Sequence, residues 1–457
     1  MDAQSADTTA DENAVYARIA WRLIPLLFAG YFLAILDRVN VGFAKLQMAG
    51  DLHLSDAVYG FGAGLFFIGY FFFELPSNLI LARIGARKWI ARIMLSWGVV
   101  SALFVFLGVL HWGPLSRAFG LTDAEFSFYA LRFVLGLAEA GFFPGVILYL
   151  TYWFPARRRA RAVALFVIAI PLASAIGSPV SGVILQFVSG WGALRGWQWL
   201  FLIEAVPAVL LGLALLAKLP DGPADARWLS GDERALVARR LGEDEATKLG
   251  EGHRVALAAV FADWRIWALA LADFLRGVIN NALNFWMPTL VQELGVPKGN
   301  YLLVGLVTAI PWGLAAVAMV IWARNSDRTG ERRWHMTIAM LVSMAGLLML
   351  AGAGHAPLIS VLALTLIAVG AMAWLAVFWT LPTAFLSGAA AAGGIAWINA
   401  LSQLGGFVGP DMLGRFRAAG TDEASTAFVW MAAAALVTAL LTWVLAQPRK
   451  AVETRSR

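Results

Sequence analysis

The sequence contains no cysteine, so it forms no disulfide, offers no thiolate to a metal and carries no thiol nucleophile. Histidine is nearly as scarce: there are five in 457 residues, none at an H-x-x-x-H spacing. That leaves metal-dependent hydrolysis little to work with and points away from an enzyme. Charge is the third shortage. Asp, Glu, Lys and Arg make up 14% of the chain, against about a quarter in soluble domains, while 60% of it is hydrophobic, with 20 Trp and 29 Phe. A chain of this composition is expected to live in a lipid bilayer. Its first residues, MDAQSADTTADENAVYARIA, are polar and acidic with no cleavable-signal pattern, so the first apolar run is expected to stay in the mature protein.

A helix needs roughly 20 apolar residues to cross the hydrocarbon. On that criterion spans are expected near residues 19–42, 57–82, 90–110, 125–149, 161–187, 197–218, 264–290, 300–323, 335–353, 357–385, 389–413 and 425–446. The expected fold is an all-α integral membrane protein of twelve transmembrane helices. The spans fall into six and six, which gives a tail over 1–18, a bundle over 19–218, a linker over 219–263, a second bundle over 264–446 and a tail over 447–457. The linker carries GDERALVARRLGEDEATK, which has helical spacing but is too polar to insert.

The net charge of +6 has a topological reading. Basic residues cluster after span two (Arg83, Arg87, Lys88, Arg92), after span four (Arg157, Arg158, Arg159, Arg161) and after span eight (Arg324, Arg328, Arg332, Arg333). The loops on the other side hold only Lys45, Arg117, Arg195, Lys298, Arg415 and Arg417. Because basic loops stay in the cytoplasm, both termini are expected there, in a bacterial inner membrane. The charge then calls for no nucleic-acid partner.

The two halves repeat. NLILARIGARKW, 78–89, and ARNSDRTGERRW, 323–334, share R-x-G-x-[RK]-[RK]-W in one register, each following the second span of its half. Arg83, Gly85 and Arg87 correspond to Arg328, Gly330 and Arg332. Duplicated six-span halves imply a pseudo-two-fold axis with a cavity between the bundles. The second copy resembles the hallmark G-x-x-x-D-R-x-G-x-R-R of the major facilitator superfamily, with Ala323 in place of the Gly and Asp327 and Arg328 kept. The first copy departs further, with Asn78 for the Gly and Ala82 for the Asp, so the second is the better candidate for that family's gating latch. LDRVNVGFAKLQM, ELPSNLILARIGARKW, LRFVLGLAEAGFFPG, TYWFPARRRARA, RGWQWLFLIEAVPA, FWMPTL and AGGIAWINALSQLGGFVGP resemble the family's anion:cation symporter branch, which includes bacterial permeases for tartrate, phthalate, hydroxyphenylacetate and sugar acids. The resemblance implies a proton-coupled importer of a small organic carboxylate, with the proton as coupling ion and no other cofactor; the protein is expected to work as a monomer. A uniporter or an anion exchanger of the same fold is the alternative.

Ionisable residues inside spans are functional candidates by default, and static ion pairs are their main competitor. Asp37 and Arg38 stand side by side in FLAILDRVNVGF of span one. Arg132 and Glu139 share a face of span four, two turns and roughly 10 Å apart along the axis, too far to pair with each other. Their complement is expected in span one. The functional reading makes Arg38 and Arg132 the carboxylate anchors and Asp37 and Glu139 the proton carriers; the competing reading is a lattice that only fixes packing. Glu74 and Glu204 lie near Pro76 and Pro207 and are expected to be structural, tying up donors freed by a kink. Asp273 and Arg276 of span seven are one turn apart, so Arg276 is either a second anchor or the partner of a structural Asp273. Tyr31, Asn284, Asn399 and Gln403 are further expected substrate contacts, amides suiting hydroxyls. Trp374 and Trp379 are candidates to stack on a ring or sugar face.

Overall fold

The computed structural model describes residues 2–250, 262–353, 356–385 and 388–446, and among these it is helical with short connections and no strand. Span one is the helix Asp2–Asp51, span two Asp56–Ile84 and span three Ala86–Leu103. Span four is Asp123–Glu139 continued by Phe142–Thr151, span five Ala156–Phe187 and span six Gly196–Lys218. Spans seven to nine are Trp264–Glu293, Tyr301–Thr329 and Arg333–Gly352. Span ten is Pro357–Phe378 followed by Thr380–Phe385, span eleven Gly388–Ala419 and span twelve Thr421–Leu445. Among the described residues eleven of these are long and apolar enough to cross a membrane; the remaining long helix, Gly388–Ala419, stands where the eleventh span is expected. Phe72, Leu75, Leu79, Val206, Leu210, Val317, Ile321 and Leu440 are exposed, as the outer face of a lipid-embedded bundle requires.

The packing repeats with an offset of six spans. Spans one and five, one and six, two and four, three and four, and three and six pack together, and so do seven and eleven, seven and twelve, eight and ten, nine and ten, and nine and twelve. The two sets of six meet where span two packs on eleven, five on eight and one on seven. The first two of these junctions are equivalent under the same offset, which is the signature of a pseudo-two-fold axis. The charged segment between the halves forms the helix Gly231–Gly250. It docks on the start of span one through Arg18 to Glu233 at 2.8 Å and Arg240 to Glu12 at 2.6 Å. Arg158 joins the same Glu12 at 3.2 Å. The expected tail over 447–457 and residues 251–261 of the linker lie outside the described residues.

Small residues let the two sets approach. A side chain at Gly60 or Gly64 would meet the backbone of Pro410 or Phe407, and one at Gly305 would meet Ser178. The small face of span five, with Ser174 and Ser178 bonded back to carbonyls of their own helix at 3.1 and 2.6 Å, is thus a packing surface of the kind that brings membrane helices together. All these contacts lie toward the end opposite the arginine-rich turns. Side-chain bonds cross the seam there as well: Tyr59 donates to the Phe285 carbonyl at 3.0 Å, and the backbone N–H of Leu302 to Gln186 at 2.9 Å. Asp56 is shared between Lys45 of its own bundle at 2.9 Å and Arg417 of the other at 3.0 Å, while Arg417 also holds Glu293 at 2.5 Å. Both cations lie over the Trp286 ring, at 4.5 and 5.1 Å. Lys45 and Arg417, read from the sequence only as sparse loop charges, therefore belong to a latch that closes this end.

Because the chain has no cysteine, a single introduced thiol is unique. In a Thr289→Cys background, whose side chain is buried beside Lys45, Asp56→Asn is expected to speed maleimide labelling about tenfold, the equivalent of ~1.4 kcal/mol. Unchanged labelling would mean that the charge cluster does not hold the end shut.

Candidate functional site

Span four is started by a capping box, Thr122 with Glu125, and interrupted at Gly141, whose φ of 86° is left-handed, a conformation natural to glycine. Glu139 is the last helical residue before this break. Spans two and four touch backbone to backbone, since a side chain at Gly136 would meet the Phe66 carbonyl and one at Gly69 the Phe133 carbonyl. The consequence is that Arg132 and Glu139, on either side of Gly136, are sealed from solvent.

Glu139 finds its cation in span one. Arg38 donates to Glu139 Oε1 through Nε at 2.9 Å and through Nη2 to the same oxygen. The pair is asymmetric: the Arg38 side chain is 19% exposed, that of Glu139 1%, and Glu139 Oε2 is buried with no partner among the described residues. The guanidinium also lies over the rings of Phe66 and Tyr70, at 5.0 and 5.3 Å. The Tyr31 ring stands 5.0 Å from that of Phe143 and 6.2 Å from that of Phe166.

Asp37, adjacent in sequence, points elsewhere. It accepts from the Ser101 hydroxyl of span three at 2.5 Å and from Asn40 at 3.3 Å. Of the expected exchange between spans one and four the Arg38–Glu139 bond is therefore made, while Asp37, turned by about 100° from Arg38 on the same helix, makes its bonds to Ser101 and Asn40 and none to Arg132 among the described residues. Arg132 donates from Nη2 to the Ala63 carbonyl at 2.9 Å, its Nε and Nη1 having no partner among the described residues. Phe66 of one bundle and Phe285 of the other cover it, at 5.0 and 5.5 Å. A buried guanidinium with two idle nitrogens, three N–H groups between them, is costly, which marks Arg132 as a group whose partners are incomplete in this arrangement.

The second bundle contributes less charge and more amide. Arg276 bonds Asp273 at 2.7 Å, the local pair that was one of its two expected states. Asn280 and Asn284 continue its stripe, each with a buried amide oxygen lacking a partner among the described residues. Asn399 donates to Glu74 across the seam at 2.6 Å. The expectation that Glu74 serves donors freed near Pro76 is thus corrected: its partner comes from the other bundle. Glu204 accepts from the Ser181 hydroxyl of span five at 3.3 Å, again across helices and not from its own kink. Trp374 is fully buried, stacked on Phe378 at 4.3 Å, with the Arg276 guanidinium 5.8 Å from its ring and its indole nitrogen without a partner among the described residues. Trp379 lies edge-on to Phe378 at 5.1 Å, and Gln403 is partly buried one residue beyond Ser402, which packs on span seven.

The two repeated turns differ in where they find an acid. Gly330 is left-handed at φ 68°, and Arg332 pairs within its own turn with Asp327 at 2.6 Å and Ser326 at 2.7 Å; Arg328 is exposed. In the first turn Gly85 has φ 98°, Arg83 is exposed, and Ala82 cannot supply the carboxylate. Asp221, just beyond span six, supplies it, accepting the Arg87 backbone N–H at 2.8 Å. An acid straight after Pro220 at the start of the linker was the one sequence clue to this.

Residues 27–410 match the family model of the Major Facilitator Superfamily. The chain belongs to that family. It is 46% identical over 446 residues to a protein of Agrobacterium vitis named for tartrate transport, covering 97% of this chain and 94% of that one. It is 41% identical over 452 residues to a metabolite transport protein of Pseudomonas putida, covering 98% and 97%. A crystal structure of a D-xylose-proton symporter superposes with a TM-score of 0.71 at 19% identity over 93% of this chain and 98% of that one, a likeness of fold alone. The protein is a multi-pass membrane transporter and not an enzyme.

For this transporter the spans two and four contact sets the site's geometry. Gly136→Ala is expected to lower the melting temperature in detergent, overpacking costing about 1–3 kcal/mol. Gly313→Ala, where a side chain meets nothing within 4 Å, is expected to leave it unchanged or slightly raised.

Proposed function

We propose that the protein is a proton-coupled symporter that imports a small organic carboxylate by alternating access, working as a monomer in a bacterial inner membrane with its arginine-rich end and both termini in the cytoplasm. The observation that carries this reading is the Arg38–Glu139 pair, in which a partly exposed guanidinium is held by a sealed carboxylate. An incoming carboxylate competes for the same guanidinium. If it wins, Glu139 is left as a bare anion beside a second anion in a dry site, and taking a proton removes that cost. Substrate and proton then favour one another, which is the thermodynamic content of symport. Asp37, held by Ser101 and Asn40, is the second proton carrier in this scheme.

Arg132 has a place in the cycle because its cover is shared. Phe66 and Phe285 belong to different bundles, so a rocking motion that opens the latched end would draw Phe285 away and uncover the idle N–H groups. Arg38 then anchors the anion when the carrier faces the cytoplasm and Arg132 when it faces outward. Tyr31, Asn284, Asn399 and Gln403 supply polar contacts, and Arg276 becomes a third anchor only if it leaves Asp273. The relatives' names, tartrate and metabolite transport, agree with a small acid as cargo.

The test is uptake of labelled sugar acids, hydroxy acids and aromatic carboxylates into liposomes, with and without an inwardly directed proton gradient. Gradient-driven accumulation of one acid is expected. Glu139→Gln should retain exchange of that acid and lose uphill accumulation, and Arg132→Ala should lose binding. Equilibration without accumulation in the unaltered protein would identify a uniporter or exchanger, and normal accumulation by Glu139→Gln would remove that residue from coupling.

A further inference from the structure

One buried carboxylate has no part in the scheme so far. Phe66, Tyr70 and Glu74 recur every four residues along span two and so share a face. The first two lie against the Arg38 guanidinium, so that face is turned toward the Arg38–Glu139 pair, and Glu74 follows Tyr70 by about 6 Å along the axis. The Glu74 residue is 7% exposed. Its Oε1 accepts from Asn399 of the other bundle at 2.6 Å, and its Oε2 is buried with no partner among the described residues. The Arg38 bonds that the structure records go to Glu139. Glu74 therefore presents one idle accepting oxygen at the seam between the bundles, one helical turn beyond the Tyr70 ring that lies against the guanidinium.

We propose that Glu74 is a specificity-determining residue that accepts a hydrogen bond from a hydroxyl of the cargo while Arg38 holds the cargo's carboxylate, so that the transporter selects hydroxylated acids over their unsubstituted analogues. This rests on the reading of the cargo as a carboxylate. A carboxylate beside Glu74 would be repelled, whereas a hydroxyl supplies the missing donor and no charge. Asn399, which can both donate and accept, would bond the same hydroxyl as Glu74 turns from it, tying both bundles to the cargo. An analogue without the hydroxyl leaves a buried acceptor unpaired, the situation in which hydrogen-bonding sites discriminate most strongly.

The test uses acids that differ only in hydroxyls, tartrate with succinate and mandelate with phenylacetate, in liposomes holding the purified full chain. For the pair carried best, the unaltered transporter is expected to prefer the hydroxy acid about tenfold or more in kcat/KM. Glu74→Leu is expected to bring that ratio toward one by raising KM for the hydroxy acid while the unsubstituted acid stays within about twofold. Glu74→Gln, close in size and retaining a neutral accepting oxygen, is expected to give a ratio between the two, so the idea stays testable if the Leu variant does not fold. Equal losses for both members of the pair would assign Glu74 to inter-bundle packing and overturn the proposal, as would an unaltered transporter that carries both equally well. Failure to carry any acid would instead sink the carboxylate reading on which the proposal rests.

Discussion

A guanidinium inside an apolar layer has to be neutralised by a partner that the fold keeps in place, and in this transporter Arg38 has Glu139. Much of the first bundle is arranged around that requirement. The glycines at 62, 69 and 136 bring spans two and four close enough for the pair to be sealed on one side, and the left-handed Gly141 ends the helix just after the carboxylate. Phe66 and Tyr70 then cover the guanidinium with ring faces, adding cation–π attraction that grows as water is excluded. One buried pair of this kind contributes little net stability, because desolvation offsets most of its attraction. Its value is that either member can change partner at modest cost, which a fully apolar contact in the same place could not do.

The two ends of the seam are held differently. Away from the arginine-rich turns, backbone contacts at Gly60, Gly64 and Gly305 combine with the Lys45, Asp56, Arg417 and Glu293 cluster. Nearer the turns a polar bridge among the described residues that crosses between the bundles is the bond from Asn399 to Glu74. The turns themselves stay within their own halves, Arg332 with Asp327 and Arg87 with Asp221. Loss of the Asp at position 82 thus did not free the first turn from electrostatic restraint. The restraint lies instead at the start of the linker, and the linker helix is itself tied to span one by Glu12 and Arg18, so the first turn and the described part of the linker are both fastened to the first bundle.

Composition and periodicity carried the reading of the fold far, because crossing a bilayer imposes about 20 apolar residues per span and a break in that run is visible without any partner. The helical linker was legible for the same reason. What periodicity cannot register is backbone conformation at single residues, and so the break at Gly141, the split after Phe378 and the continuation of span one back to Asp2 were not foreseen. In the site, pairs on one helix were legible: Asp37 beside Arg38, Arg132 two turns from Glu139, Asp273 one turn from Arg276. Partners on other helices were not, since nothing local distinguishes Ser101 from any other serine or marks Asn399 as facing Glu74. Lys45 and Arg417 were read as loop charges because a count of basic residues does not say which carboxylates surround them. Tyr70 was overlooked as one of many aromatics, although its spacing between Phe66 and Glu74 was there to be read.

Asp37 and Arg38 could be neighbours in sequence and still divide the work of the site because a helix turns each successive residue by about 100°. Asp37 faces span three and accepts from hydroxyl and amide donors there and on its own helix, and it makes no direct ion pair with Arg38, whose bonds go to Glu139. Glu139 has no such donors among the described residues and depends on Arg38. Of the two acids, Glu139 is the one whose bonded partner is Arg38. In the proposed scheme direct competition for that guanidinium therefore acts on Glu139, and Asp37 takes part by way of a movement of span one that alters its contact with Ser101.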